Sequence, residues 1–511
     1  MKKPTGLILF AAVFVVVFLA HLPLVNLPYY WDEAGYFIPA AHDILFTNDF
    51  VPRSTLSNAH PPLVMCWLAL CWKLFGFHIA VARGAMLAVA SLALCGVFRL
   101  SERVANREVA WATLLSTALY PVFFAQSSLA HLDMGVAALT VWGLVFYLPP
   151  RDDAEHASRA SLFARENVRR AIAILLFALA GVTKETAVLT PLALCGWELL
   201  CLLPGRWRER TTAICLNQRR TILRSLALLL TLVPLALWFA YHRHVTGYVF
   251  GNPEYFRYNV ESTVNLSRIF ETLWGRLRHV TVHMNLWVLT LATVVAMFFP
   301  ARRDGEQQER RRIEVSVQLV FALLIVAHVA ALSVVGGAVL ARYMLPVYPL
   351  VLLICVSTLR RRVRHWRLVV GVVCLAFITG LFVNPPYSFP WEENLAYRDF
   401  VVLHTDAAHF LADKYPDAHV LTMWPASDEL KNPYFGYLDR PLKVFSTDSF
   451  RREDLERIAS QESQYDVALL FSTHGGLAAD EIAKTLGGRI VYREERKGQW
   501  VAVMEKAVAR E

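Results

Sequence analysis

The chain reads as a polytopic α-helical membrane protein of about eleven spans that ends in a small α/β domain, and three observations predict this. Only 18% of its 511 residues are charged while 56% are hydrophobic; a soluble chain needs roughly 25% charged residues to cover its surface. Apolar runs of spanning length recur from Gly6 onward, and Arg-rich segments separate them. After Asn384-Pro385-Pro386 the composition changes to that of a water-soluble domain. The net charge of +9 is no sign of a nucleic-acid partner, because the basic residues cluster between apolar runs in the positive-inside pattern. The eight cysteines are Cys66, Cys71, Cys95, Cys195, Cys201, Cys215, Cys355 and Cys374. Their spacing matches no zinc motif, and none follows Pro385, so the terminal domain is expected to hold together without disulfides.

The first apolar run, Gly6 to Val25, follows Met1-Lys2-Lys3. It approaches the ~20 residues that cross a bilayer, and no small-x-small cleavage site follows, so an uncleaved span is expected. Further spans are expected at 81–100, 109–127, 130–148, 171–187 and 188–204, then at 225–241, 281–300, 313–333, 343–359 and 367–384. Arginine marks the inner segments: Arg99/Arg103/Arg107, five in 151–170, six in 204–224, Arg302 to Arg312, and Arg360-Arg361-Arg362 with Arg364 and Arg367. Residues 26–80, by contrast, hold only Arg53 and Lys73 as Lys or Arg. An odd number of spans with Lys2 and Lys3 inside puts the N-terminus in the cytoplasm and the C-terminus outside, in a membrane read as a bacterial inner membrane.

The long 26–80 loop carries Tyr29, Tyr30, Trp31, Trp67 and Trp72, rings that favour the headgroup level, so interfacial helices are expected there. A second aromatic outer loop spans about 243–280, with Tyr248, Phe250, Tyr255, Phe256 and Tyr258. Residues 1–384 thus form the membrane body and 385–511 the outer α/β domain. An amphipathic helix is expected over 393–414, strands at His419–Trp424, Leu442–Phe445, Val467–Phe471 and Ile490–Tyr492, and helices at 452–461 and 477–486.

Ionisable residues gather at one depth. Asp32-Glu33 follows the first span directly, and His60-Pro61-Pro62 ends the same loop in a rigid extended elbow. Asp133 lies 18 residues before Arg151, and Arg342 lies 18 before Arg360. At 1.5 Å per residue each is about 27 Å from the inner boundary, hence at the outer one. Lys184 lies 14 residues after Arg170, about 21 Å along a helix and just below that surface, where an ammonium must snorkel, face a cavity or find a partner. Glu185 is one candidate partner, although adjacent helical residues point apart. Acids and cations in one thin outer slab suit a reaction on a substrate whose lipid tail stays in the leaflet: cations hold a phosphate and a carboxylate acts as base.

Six segments in this order resemble the GT-C glycosyltransferases of the protein O-mannosyltransferase type, which include the bacterial lipid A aminoarabinose transferases. They are YYWDEAGYF with Asp32-Glu33, HPPLVMCWL with His60, LFGFHIAVAR with Arg83, AHLDMGVAAL with Asp133, AGVTKETAVLTPLAL with Lys184, and ARYMLPVYPLV with Arg342-Tyr343. The resemblance covers about 25–360. It implies a hexosyl or pentosyl transferase that takes a sugar from a polyprenyl-phosphate carrier to a lipid, glycan or protein acceptor. It implies a catalytic set of Asp32, Glu33 and Asp133, with Asp32 as the base. Substrate binding would fall to His60, Arg83, Lys184, Arg342 and Tyr343, with Lys184, Arg342 and His60 stabilising the leaving phosphate. Some relatives carry Lys at the position of His60, so a fixed charge is here a titratable ring. A monophosphate among fixed cations needs no metal, and neither metal nor cofactor is expected. The main alternative is a flippase or transporter of lipid-linked sugars, which predicts internal repeats and polar groups at mid-depth; neither is visible. A receptor using the α/β domain as sensor leaves Lys184 and Arg342 unexplained.

Overall fold

The structure, a computed structural model, describes residues 6–149, 159–202, 218–253, 256–257, 265–303, 308–335, 337–459, 465–473 and 475–506. Residues 151–158 and 203–217, with Lys2, Lys3, Tyr255 and Tyr258, lie outside the described residues.

The chain is mostly helical and is an integral membrane protein. Among the described residues five helices are long and apolar enough to cross a bilayer: Gly6–Leu24, Ile79–Val104, Thr221–Thr246, Leu266–Met297 and Val315–Val334. Shorter apolar helices include Leu132–Tyr147 and Trp366–Phe382. Several expected spans are interrupted, each for a local reason. Pro121 pushes Tyr120 into an extended conformation (φ −61°, ψ 125°) and divides 107–126 into Arg107–Leu119 and Pro121–Gln126. Met284 and Asn285 both adopt left-handed backbone (φ 47° and 65°) and break the Leu266–Met297 run. The expected outer loop 243–280 therefore contains a helix, Leu266–Thr281, and the span expected at 281–300 is the shorter helix Leu286–Met297.

The first loop folds as Ile38–Thr47 and Leu63–Phe75, joined by the His60-Pro61-Pro62 elbow. The elbow is pinned from two sides: the Leu63 amide donates to Val182 O (3.2 Å), and the Trp238 indole donates to Ala59 O (2.8 Å).

The terminal domain builds one sheet from β1 (His419–Met423), β2 (Lys443–Thr447), β3 (Val467–Phe471), β4 (Gly488–Arg496) and β5 (Gln499–Lys506), in the order β2-β1-β3-β5-β4. β1 pairs in parallel with β2 and β3, and β5 is antiparallel to β3 and β4. β5 is an addition to the four expected strands. Its turn is the dipeptide Lys497-Gly498, both with positive φ (48° and 82°), a two-residue hairpin loop that matches strand twist.

This domain is stapled onto the first loop. The Tyr29 amide donates to Phe435 O and the Tyr437 hydroxyl donates to Tyr29 O, both at 3.0 Å. Trp424 stacks edge-on against Trp31 at 5.0 Å and lies so close to Gly35 that an added Cβ would meet its ring at 2.7 Å. Tyr397 and Phe400, on the helix Ala396–Lys414, pack on Tyr30. The hydrophobic core runs without interruption from the membrane helices into the sheet.

Candidate active site

The site begins at a strained residue. Trp31 has φ 46°, a conformation that costs a bulky side chain about 1–3 kcal/mol. Phe400 and Trp424 hold its ring at 5.7 and 5.0 Å. The kink sends the next two side chains to different places.

Glu33 turns into the protein and is fully buried. Its carboxylate takes the Arg83 guanidinium, the Ala130 amide (2.6 Å) and the Tyr30 amide (2.9 Å). Arg83, also buried, further donates to Ser128 O and Pro28 O, both at 3.0 Å. Asp32, 21% exposed, instead reaches Arg342, whose side chain is 4% exposed.

Around Arg342 the groups converge. Its guanidinium donates to Asp32 and, from Nη1, to Glu392 Oε2 at 3.1 Å. Nη1 also lies 2.9 and 3.1 Å from the two ring nitrogens of His131, whose Nδ1 is 2.7 Å from Gln126 Oε1. Nε lies 3.6 Å from Asp133 Oδ2, beyond hydrogen-bond length. Lys184 Nζ donates to the other Asp133 oxygen at 2.7 Å. The Tyr343 ring collects three cations, with Lys184 Nζ at 4.0 Å, the Arg276 guanidinium at 5.2 Å and that of Arg342 at 5.7 Å. Such cation–π contacts hold positive charge without neutralising it.

Thus Asp32, Asp133, Lys184, Arg342 and Tyr343 form one constellation, while Glu33 and Arg83 form a separate interior pair. His60 stands at the edge: its Nδ1 donates to Glu185 Oε2 at 2.8 Å, and the Phe37 ring lies between it (6.0 Å) and His131 (5.9 Å). Lys184 pairs across helices with Asp133, and its neighbour Glu185 faces His60 instead.

Glu392, His131, Gln126 and Arg276 are site residues beyond those the sequence singled out. Glu392 arrives because the chain after Pro385 folds back onto the membrane body, where Gln126 Nε2 donates to Glu392 O at 3.0 Å. Burial, reinforced by Asp32, Glu393 and Asp133 against the opposing pull of Arg342, pushes the Glu392 carboxyl up to about 8. Near neutral pH this acid is therefore largely protonated, which eases its place among neighbouring acids. The arrangement provides an accessible carboxylate, three buried cations and a wall of rings.

No protein-family model and no curated protein sequence matches the chain. Among solved structures it is similar to ArnT from Cupriavidus metallidurans bound to undecaprenyl phosphate, at 17% identity over 98% of each chain with a TM-score of 0.55. It is likewise similar to apo ArnT from that organism, at 16% identity over 97% of each chain with a TM-score of 0.58. At that identity the likeness establishes the architecture: the chain has the GT-C fold.

Proposed function

From this fold and the constellation at Arg342, we propose that the protein transfers a sugar from a polyprenyl-phosphate carrier to an acceptor hydroxyl at the outer face of the membrane, with Asp32 as the base. The observation that carries the reading is the pairing of Asp32, the accessible acid, with Arg342, a buried cation. Undecaprenyl phosphate bound to ArnT, a protein of the same fold, supports a polyprenyl phosphate as the donor's lipid half.

In this reading the donor phosphate competes with the carboxylates for Arg342 and Lys184, since charge-assisted hydrogen bonds to phosphate match those to carboxylate. Asp32 is released as the phosphate takes its cation, so the base becomes free when the donor is in place. The acceptor oxygen then attacks the anomeric carbon, and its proton passes to Asp32. The bond from that carbon to the phosphate oxygen breaks, and the lipid phosphate leaves with its charge held by Arg342 and Lys184. Tyr343 keeps both cations in place while their partners exchange. Glu33 and Arg83 act as positioning residues, fixing the turn that presents Asp32. The inner-membrane location, the terminus orientation and the eleven-span count belong to this same proposal.

Asp32→Asn keeps the shape and removes the proton acceptor. Turnover should fall about 10²–10⁴-fold, the usual loss with a general base, while binding of undecaprenyl phosphate is retained. The test is turnover and lipid-phosphate binding on the same purified variant. Near-wild-type turnover would remove Asp32 from the role of base.

A further inference from the structure

We propose that His279, His283 and Glu393 form a binding site for a zinc-class divalent cation that clamps the Arg342 segment from behind. The three side chains are buried, and among the described residues their ligand atoms lie within 4.8 Å of one another. His279 lies in the last turn of Leu266–Thr281 and His283 two residues past its end, with ring centroids 5.0 Å apart. His283 is presented by the break at Met284 and Asn285, and Glu393 by the segment that leads into the terminal domain.

The hydrogen bonding is complete around two of the three groups and open at the third. His283 Nε2 donates to Glu393 Oε2 at 2.6 Å. The Tyr387 hydroxyl holds the opposite ring nitrogen at 3.0 Å, the type of outer contact that orients a metal-bound imidazole. Glu393 Oε1 accepts from the Ala341 amide at 2.6 Å. His279 Nδ1, on a residue only 6% exposed, has no hydrogen-bond partner. A buried ring nitrogen without a partner carries a desolvation cost that a cation between the three groups removes.

Two imidazoles and one carboxylate suit zinc with a fourth position open. Zinc ligand distances near 2.1 Å imply ligand atoms about 3.4 Å apart. Binding therefore needs only the His283–Glu393 bond to open slightly and His279 to close in. The site is separate from the constellation around Arg342 but joined to it twice. Glu393 holds the amide of the residue before Arg342, and its neighbour Glu392 holds Arg342 itself. A bound cation would tie the Leu266–Thr281 helix, the Arg342 segment and the linker to the terminal domain at one point.

The experiment uses the full purified chain, stripped with a chelator and then exposed to Zn²⁺ or Co²⁺ alone, so its readout is independent of sugar transfer. Wild-type protein should retain one more equivalent of zinc than His279→Ala and give the visible absorption of four-coordinate Co²⁺. The variant should bind zinc more weakly by more than the about 10–100-fold that loss of an outer partner costs. In chelator the variant sets its own baseline, lowered by the packing that the buried ring loses; zinc should raise the melting midpoint of wild type alone. Equal zinc retention by the two proteins overturns the site. So does the absence of a Co²⁺ spectrum in wild type, whatever the variant does.

Discussion

Asp32 and Glu33 are neighbours in the chain, yet the two arginines that hold them create different environments. At Glu33 one carboxylate takes three N–H donors, and the Arg83 guanidinium gives its remaining bonds to backbone carbonyls, among them those of Pro28 and Ser128. At Arg342 the ratio is reversed: one guanidinium is shared by Asp32, Glu392, His131 and the more distant Asp133. Both guanidiniums leave Nε without a hydrogen bond, so the difference lies with the acids. A saturated carboxylate is scaffolding. A carboxylate that competes for its cation can be displaced, and in the proposed reaction, where a phosphate takes that cation, displacement is the useful property.

The largest effect that tests this contrast is on stability. Arg83→Met leaves Glu33 buried and unpaired, and breaking a buried pair in this way typically costs about 3–5 kcal/mol. The variant should show a strongly lowered melting midpoint in detergent, with any folded fraction still binding lipid phosphate. A stable Arg83→Met protein that fails to bind lipid phosphate would reverse the comparison and move Arg83 into the site.

Next come the cations of the reactive cluster. Lys184→Ala and Arg342→Ala each remove a charged donor, and such bonds contribute about 1.5–3 kcal/mol. Binding of undecaprenyl phosphate to the folded protein should weaken roughly 10–100-fold in each. Unchanged affinity in both would mean that these cations serve only their carboxylates.

Glu392 offers a smaller and pH-dependent effect. Its folded value, about 8, lies above the ordinary carboxyl value of 4.5. The folded state therefore keeps a proton that the unfolded chain has lost, so the group's contribution to stability declines as pH rises between those limits. Ionisation also adds a negative charge beside Arg342, so phosphate binding should weaken as pH rises through about 8. Glu392→Gln should abolish that decline while leaving affinity at pH 7 close to wild type. Affinities measured at pH 7 and pH 9 decide the matter, and an identical decline in the variant assigns it to another group.

The smallest change is expected at His60. His60→Lys exchanges a titratable ring for a fixed ammonium able to face Glu185, so turnover at pH 7 should survive and its pH dependence should flatten between about 6 and 8. An unaltered profile would mark His60 as part of the elbow alone.

The sequence made these positions visible to different degrees. Helix arithmetic put Asp133 and Lys184 at similar depths, and depth suffices to bring them together because Asp133 opens one helix and Lys184 closely follows the end of the next. Asp32 and Arg342 were expected at one depth, but their pairing depends on the kink at Trp31, which no periodicity announces. Glu392 was hidden by composition: a polar stretch after paired prolines reads as the start of a soluble domain, whereas this one packs first against Gln126 and Arg342. The break at Met284-Asn285 was hidden too, since apolar residues on both sides let one span be drawn through it. β5 was missed beside a legible cue, the Lys497-Gly498 turn.

The stapling of the terminal domain onto the first loop also sets a timetable. Tyr29 and its partner Tyr437 are 408 residues apart in the chain, and ribosomes add about 5–20 residues per second. Asp32 therefore emerges roughly 20–80 s before the domain that covers it exists. Arg342 follows Asp32 by 310 residues, and Trp424, which packs on Trp31, is added later still. A partly synthesised chain in the membrane therefore lacks the assembled constellation around Asp32, which is complete only once the terminal domain has folded onto the first loop.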